Sequence, residues 1–282
     1  MGCAPPEVSR ACAGPVPAAW LSMSVARGRH VMGTLIIEPI ACLKDNDAYL
    51  IRDSEAREGY LVDPSAAAPC VAALERAGVE LRGILATHHH NDHVGGIAAL
   101  VDDTGEPPIF VAAHAGDRGR IPRQSVFVDA PTDAFVATDV TVAGRRLVAR
   151  HIPGHTRWAI AWGLVDGGDS LLPTDVFTGD TLFGAGCGRL FEGTPAEMFR
   201  SLAALTALPE ATRLWFGHEY TASNLRFAAA VDPDNPAVKA RAARAGAMTT
   251  PTTVGDEQAT NPFVRAPTVE VFAARRAQKD KF

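Results

Sequence analysis

The segment Thr87–His93 reads THHHNDH: four of the chain's nine histidines and one aspartate in seven positions, directly after the apolar run GILA. Polar groups crowded in this way belong where a buried strand ends, not within the core itself. In His88-x-His90-x-Asp92-His93, two histidines two apart on extended chain point the same way. The loop that follows can turn Asp92 and His93 toward a second point. His89 points away by the same alternation and is left out of the set. Neutral imidazole and carboxylate are ligands that zinc, iron or manganese accept. A mere run of surface histidines gives no reason for this spacing after a buried strand. The cluster is therefore read as half of a metal site.

The runs TLIIEPI, YLIRD, GYLVDPS, LRGILAT, PPIFVAA, DVTVAG, RRLVARHIPG and AIAWGLV read as strands, with Gly, Pro or Asp between them. SLLPTDVFTGD is a further strand with a turn inside it, and RLWFGH a short last one. APCVAALERAGVE and GGIAALVDD read as helices. TPAEMFRSLAALTALP is a strong helix, with Thr194 as N-cap, Pro195 after it and Glu197 near. After His218 the strands are expected to stop. YTASNLRFAAAV, NPAVKARAARAGAM and TVEVFAARRAQKDK read as helices joined by Pro- and Thr-rich loops. The expected organisation is α/β, with a β-rich body over 33–218 and a helical domain over 219–282. Residues 1–32, rich in Ala, Pro and Arg, read as a disordered extension or as sequence upstream of a start at Met32. A transit or secretory peptide suits them less well, because Pro15 and Pro17 break the apolar part.

Three more candidate ligands stand at the ends of separate strand-like runs: His155 in RRLVARHIPGH, Asp180 in DVFTGD and His218 in RLWFGH. Strand ends in α/β bodies are where sites are usually built. A glycine precedes each of the three (Gly154, Gly179, Gly217), which permits sharp turns or close backbone approach. Seven ligands exceed the needs of one tetrahedral metal and suit two metals that share a carboxylate. His114 and His151 are isolated and are read as structural or surface residues.

Composition excludes several classes. Hydrophobic residues at 47% and charged residues at 21% are those of an ordinary globular protein. No apolar run approaches the ~18 residues of a membrane span. A net charge of −5 argues against a nucleic-acid-binding face. Five scattered cysteines (Cys3, Cys12, Cys42, Cys70, Cys187) without a CxxC suit a reducing, cytoplasmic compartment better than a disulfide scaffold.

At THHHNDH the chain resembles the metallo-β-lactamase superfamily, whose signature is THxHxDH. Within it, the chain is similar to glyoxalase II, the hydroxyacylglutathione hydrolases. The similar stretches are LKDNDAYLI, VDPS, THHHNDHVGG, PGHT, FTGDTLFGAGCGRLFEGTPAEM, GHEYTASNLRFA, NPFVR and RRAQKDKF, which run from about Gly33 to Phe282. HxHxDH alone identifies only the superfamily. FTGDTLF…GCGRLFEGT with GHEYT and a terminal RxxKDxF is much more specific. The resemblance implies an αββα sandwich followed by a helical substrate-binding domain. It assigns His88, His90 and His155 to one metal, Asp92, His93 and His218 to the other, and Asp180 as the bridge. Its glutathione contacts fall on Arg189, Phe191, Tyr220, Arg276 and Lys279. Three departures stand out. Asp47 replaces a Tyr common in the family. Trp158 and Ala159 replace the Gly and His of GHTxGH, where they are expected to reshape the site wall. The segment between NPFVR and RRAQKDKF is short, which loosens the register of Arg276 and Lys279. None removes a ligand.

The reaction so implied is hydrolysis of S-(2-hydroxyacyl)glutathione, with S-D-lactoylglutathione giving glutathione and D-lactate. Two divalent metals about 3.5–4 Å apart, zinc first with iron or manganese as alternatives, lower the pKa of a bridging water from near 16 toward ~7. The resulting metal-bound hydroxide is the nucleophile, so no side chain is needed in that role. Cys187 reads as a packing residue, since nothing evident pairs with it as a base. A metal stabilises the tetrahedral oxyanion. The thiolate product, of pKa roughly 8.5–9 by analogy with cysteine, departs without a strong general acid. Arg189, Arg276 and Lys279 offer charge that matches the two carboxylates of glutathione. The expected partner is this small molecule alone, bound by a monomer, with no nucleic acid and no membrane. The main rival is a glutathione persulfide dioxygenase with a single iron, which would not need His218 and lacks a tail ending in RxxKDxF. A lactonase or β-lactamase is disfavoured by GCGR and RxxKD, and a nuclease by the acidic balance. A non-catalytic binding module would be expected to have lost ligands.

Overall fold

The apolar runs become two six-stranded sheets. The first takes the order β1 (Leu35–Cys42), β2 (Asn46–Asp53), β3 (Glu58–Val62), β4 (Glu80–Leu85), β5 (Phe110–His114) and β6 (Val126–Val128). The second holds β7 (Val136–Val142), β8 (Arg145–His151), β9 (Ile160–Val165), β10 (Asp175–Gly179), β13 (Arg213–Phe216) and β14 (Thr252–Thr253). A small hairpin, β11 (Leu182–Phe183) with β12 (Gly186–Cys187), stands apart. These elements come from a computed structural model, which describes residues 33–102, 108–168, 170–244, 246 and 248–282. The extension expected over 1–32 lies outside the described residues.

Strand β2 shows why the layers stack. Its residues are buried on both faces, as a near-continuous apolar run requires. Ala48 and Leu50 pack with Cys70, Ala73 and Leu74 of α1 (Ala67–Ala77) and, beyond the single turn α2 (Asn91–Val94), with Ile97 and Leu100 of α3 (Ile97–Asp102). Tyr49 and Ile51 face the other way, into a core shared with Leu147, Ile160, Trp162, Phe177 and Trp215 of the second sheet. The outer face of that sheet (Val148, Ala161, Val176, Leu214) is covered by Leu202 and Leu205 of α4 (Pro195–Thr206), Val254 of α7 (Val254–Thr260) and Phe272 of α8 (Val269–Lys279). The result is the expected α/β sandwich of αββα layers. Each large side chain buried here contributes about 1.5–3 kcal/mol relative to exposure.

Helix α4 starts where its sequence directs. Thr194 Oγ1 accepts from the Glu197 amide, and the Glu197 carboxylate accepts from the Thr194 amide at 2.7 Å, a complete capping box with Pro195 at the first turn.

The region after His218 departs from the expectation of helices alone. Alongside α5 (Thr221–Val231), α6 (Pro236–Arg244) and α8, Thr252 and Thr253 form β14, antiparallel to β13, and α7 follows at once. A two-residue strand carries no alternation, and VGDEQAT is too polar to show a helical face. What fixes this segment is local: Thr253 accepts from the Asp256 amide as N-cap. Among the described residues no helix is long and apolar enough to cross a membrane.

Sheet topology places the site. β10 and β13 run parallel, so their carboxyl ends, carrying Asp180 and His218, emerge together. β3 and β4 are also parallel and deliver Asp63 and the segment Thr87–His93. The two groups meet because the sheets are tied at this edge: Ile160 N donates to Thr87 O, and Asp47 N to Gly217 O, each at 2.9 Å.

Candidate metal centre

The structure brings all seven candidate ligands to one point. His90 Nδ1 lies 3.1 Å from His88 Nε2 and 2.9 Å from His155 Nε2. Opposite this trio stand Asp92, His93 and His218, with His218 Nε2 3.4 Å and His93 Nε2 4.0 Å from Asp92 Oδ2. Asp180 lies between the groups. Its Oδ2 is 3.4 Å from both His155 Nε2 and His218 Nε2, and its Oδ1 is 3.2 Å from His93 Nε2. Backbone shape makes the approach possible. Gly179 has φ +50, and a β-carbon there would meet the Thr87 hydroxyl; one on Gly217 would strike His93 and Asp180.

The hydrogen-bond network fixes which ring nitrogens are bare. Thr87 Oγ1 donates to Asp63 Oδ2, so it accepts from His88 Nδ1 at 3.1 Å. His155 Nδ1 donates to the Arg189 carbonyl at 2.9 Å. His93 Nδ1 donates to Asp63 and His218 Nδ1 to Asp45, each at 3.0 Å. In all four residues Nε2 faces inward, as a bare lone pair in His88 and His155, the usual arrangement of supported ligand histidines. Two such lone pairs converge on His90 Nδ1, more than hydrogen bonding can satisfy. His93 Nε2 and Asp180 Oδ1 are buried with no hydrogen-bond partner, although they face each other. This donor set fits a pair of divalent cations.

Electrostatics divides the site. Burial, reinforced by the neighbouring rings, holds His88 well below the ordinary histidine value and His155 down at about 4. His90 is lowered too, again chiefly by burial. That trio is neutral near pH 7 and ready to coordinate. At the other end burial also favours neutral rings, but carboxylates override it. Asp180 and Asp63 hold His93 well above the ordinary value, and Asp180 and Asp92 raise His218 to about 10. Cations bound there displace those protons, so their affinity increases with pH.

The protein families sort this geometry. Residues 44–218 match the metallo-beta-lactamase superfamily, and residues 219–282 match the hydroxyacylglutathione hydrolase C-terminus. A hydroxyacylglutathione hydrolase from Synechococcus sp. (strain JA-3-3Ab) is 44% identical over 261 residues, covering 86% of this chain and 98% of that protein. The chain belongs to the hydroxyacylglutathione hydrolase family. A second member, from Gloeobacter violaceus, is 40% identical over 267 residues, covering 88% of this chain and all of its own. The crystal structure of ETHE1 from Myxococcus xanthus shares the fold, with a TM-score of 0.62 at 24% identity over 86% of this chain and 90% of that one.

Within this family frame, the expected glutathione contacts line one cavity of about 730 Å³ that opens on the candidate metal ligands. Phe191, 62% exposed, sets its ring edge-on to His90 and His155. Tyr220 stacks on His218 at 4.8 Å. Lys279 Nζ lies 3.3 Å from the Ser223 carbonyl and hydroxyl. Arg189 is largely exposed, 3.7 Å from Asp280. Arg276 differs from the other four: it is buried, donating to the Cys187 carbonyl at 2.7 Å and to Asp280 at 3.0 Å. Part of its charge is already committed to holding the cavity wall.

His89 turns away from the ligands as expected, with Nδ1 3.4 Å from Asp117. Trp158, expected on the site wall, instead stacks on His114 and His151 at 5.1 and 5.5 Å and lines a separate cavity of about 520 Å³. Asp47 is buried behind the site, and burial, then repulsion from Glu219, raises its carboxyl to about 7. Sequence reasoning missed Asp63, Asp45 and Asn46, which hold the ligands from behind. Asp63 sits at φ +47 and accepts from Thr87 N, Thr87 Oγ1 and His93 Nδ1, so its carboxylate supports the ligands instead of joining them.

Proposed function

We propose that the protein hydrolyses S-(2-hydroxyacyl)glutathione thioesters, with S-D-lactoylglutathione the type substrate, releasing glutathione and a 2-hydroxy acid. The observation that carries this reading is Asp180 standing between two three-ligand groups at the floor of a cavity lined with basic and aromatic side chains. His88, His90 and His155 would hold one cation and Asp92, His93 and His218 the other, with Asp180 between them. The pair, zinc in the first instance, supplies when bound a water of lowered pKa and an electrophile for the thioester carbonyl.

The chain's own groups do the rest. The Phe191 ring, edge-on to His90, and the Tyr220 ring, stacked on His218, flank the two ligand groups. Arg189 and Lys279 attract the carboxylates of glutathione, and Arg276 fixes the loop that presents Arg189. The departing thiolate needs no strong side-chain acid. We further infer a cytoplasmic location, supported by the buried free thiols Cys42, Cys70 and Cys187, and a monomeric chain. Residues 33–218 serve as the catalytic body and 219–282 as the substrate-binding region. The persulfide dioxygenase alternative is weakened by His218, which a mononuclear site would leave idle.

The direct test is hydrolysis of S-D-lactoylglutathione by purified protein, with oxygen uptake on a glutathione persulfide measured beside it. Turnover of the first and none of the second is expected. The reverse result overturns the proposal.

Lys279 gives a pH signature. Burial, then the nearby charges of Arg276 and Arg226, push its ammonium down to about 8. A lysine loses charge as pH rises, so the attraction for a carboxylate is complete well below 8 and fades above it. The kcat/KM profile of the wild type is expected to fall above about pH 8, and the Lys279→Arg profile to stay flat there, since guanidinium keeps its charge. Identical limbs in both proteins would remove Lys279 from the binding role.

A further inference from the structure

Asp45 occupies the three-residue turn between β1 and β2, and its carboxylate reaches two residues on another strand end. Oδ1 lies 3.0 Å from His218 Nδ1 and 3.4 Å from the Tyr220 hydroxyl. His218 and Tyr220 are themselves stacked, with rings 6° from parallel. The same turn supports the rest of that ligand group: Asn46 Nδ2 donates to the Asp92 carbonyl at 2.9 Å and to its carboxylate at 3.3 Å. The turn is docked by its backbone as well, since Glu219 N donates to Asp45 O at 2.9 Å.

We propose that Asp45 is a positioning residue that couples substrate contact to the second metal position, by holding the His218 ring and the Tyr220 hydroxyl on one carboxylate oxygen. The inference rests on the ligand and glutathione roles proposed above for those two residues. Its physical content is an asymmetry. The other ligand group leans on backbone and hydroxyl acceptors, the Arg189 carbonyl and Thr87. His218 instead leans on a carboxylate, 32% exposed. A carboxylate behind an imidazole raises its basicity and fixes its rotation, and loss of such a partner typically costs 10–100-fold in metal affinity. Because Tyr220 shares the oxygen, displacement of its hydroxyl by a bound ligand leaves His218 as the oxygen's only side-chain donor among the described residues.

The test separates this claim from the catalytic one by reading metal affinity directly. Metal-stripped wild-type, Asp45→Ala, Asp45→Asn and Tyr220→Phe proteins are titrated with zinc against a chromophoric chelator, and KM and kcat are measured on the loaded forms. In Asp45→Ala, one zinc equivalent is expected to weaken about 10–100-fold while the other stays at the wild-type value. KM should rise too. Asp45→Asn, which keeps an acceptor oxygen but no charge, should recover part of the loss. Tyr220→Phe, which removes the second donor from the Asp45 oxygen, should raise KM and shift the affinity of the same zinc equivalent alone. The backbone docking to Glu219 survives each substitution, and a thermal melt verifies the fold. Two wild-type affinities in Asp45→Ala would overturn the proposal, even in a protein that hydrolyses no thioester. An equal loss at both positions would overturn it too, as general damage to the site.

Discussion

Replacing His90 with alanine is expected to lower kcat/KM at least about 10³-fold, some 4 kcal/mol of transition-state stabilisation, while the protein stays folded. The reason is local. His90 Nδ1 is the atom on which His88 Nε2 and His155 Nε2 both converge, at 3.1 and 2.9 Å. Without it the first ligand group has two nitrogens instead of three. The ring is only half buried, packed edge-on to exposed Phe191, so its loss opens no core cavity. Steady-state kinetics with a thermal melt on the same sample checks both halves. Full activity in the variant would refute the ligand assignment.

The second large effect concerns stability. Glu257, on α7, is fully buried and accepts from Ala185 N at 2.9 Å, Thr252 Oγ1 at 2.7 Å and Asn261 Nδ2 at 2.7 Å. It also pairs with the buried Arg241 at 2.7 Å. Glu257→Ala removes every one of these contacts and leaves a guanidinium buried without its charge partner, a change that typically costs about 3–5 kcal/mol. For a chain of this size that corresponds to a fall in Tm of between about 6 and 20 °C, measured by calorimetry. The loss should reach the cavity, because Ala185 belongs to the turn that joins β11 to β12 and leads into Arg189. A fall below about 2 °C would show that the C-terminal helices are held mainly by apolar packing.

How far these sites were legible in sequence follows from what each residue does. The convergence of the seven candidate ligands was legible because coordination demands particular side chains at particular spacings, and because His155, Asp180 and His218 follow apolar runs that read as strands. The α/β class followed from the alternation of strand-like and helical runs, whereas the αββα layering was implied by the resemblance. Asp63, Asp45 and Asn46 were not legible. A single acid or amide near a turn has many ordinary uses, and only the parallel pairing of β3 with β4 and of β10 with β13 brings these residues behind the metal ligands. Strand β14 was illegible for a similar reason, since its pairing is a backbone matter that two threonines do not announce. Charge on a terminal helix by itself looks solvated, while the resemblance implied Arg276 as a glutathione contact. Its burial beneath the Cys187 carbonyl depends on how α8 packs across the hairpin. Trp158 was placed by its nearness to His155 in sequence, but the turn after Thr156 carries it to the opposite side, onto His114 and His151.

Two cations held across Asp180 are what the whole account requires. The measurement that reaches this most directly is titration of the metal-stripped protein with zinc while thioester hydrolysis is followed in the same cuvette. Activity is predicted to climb until two equivalents per chain are bound and then to level off. A plateau after a single equivalent, or no hydrolysis at any ratio, would contradict it.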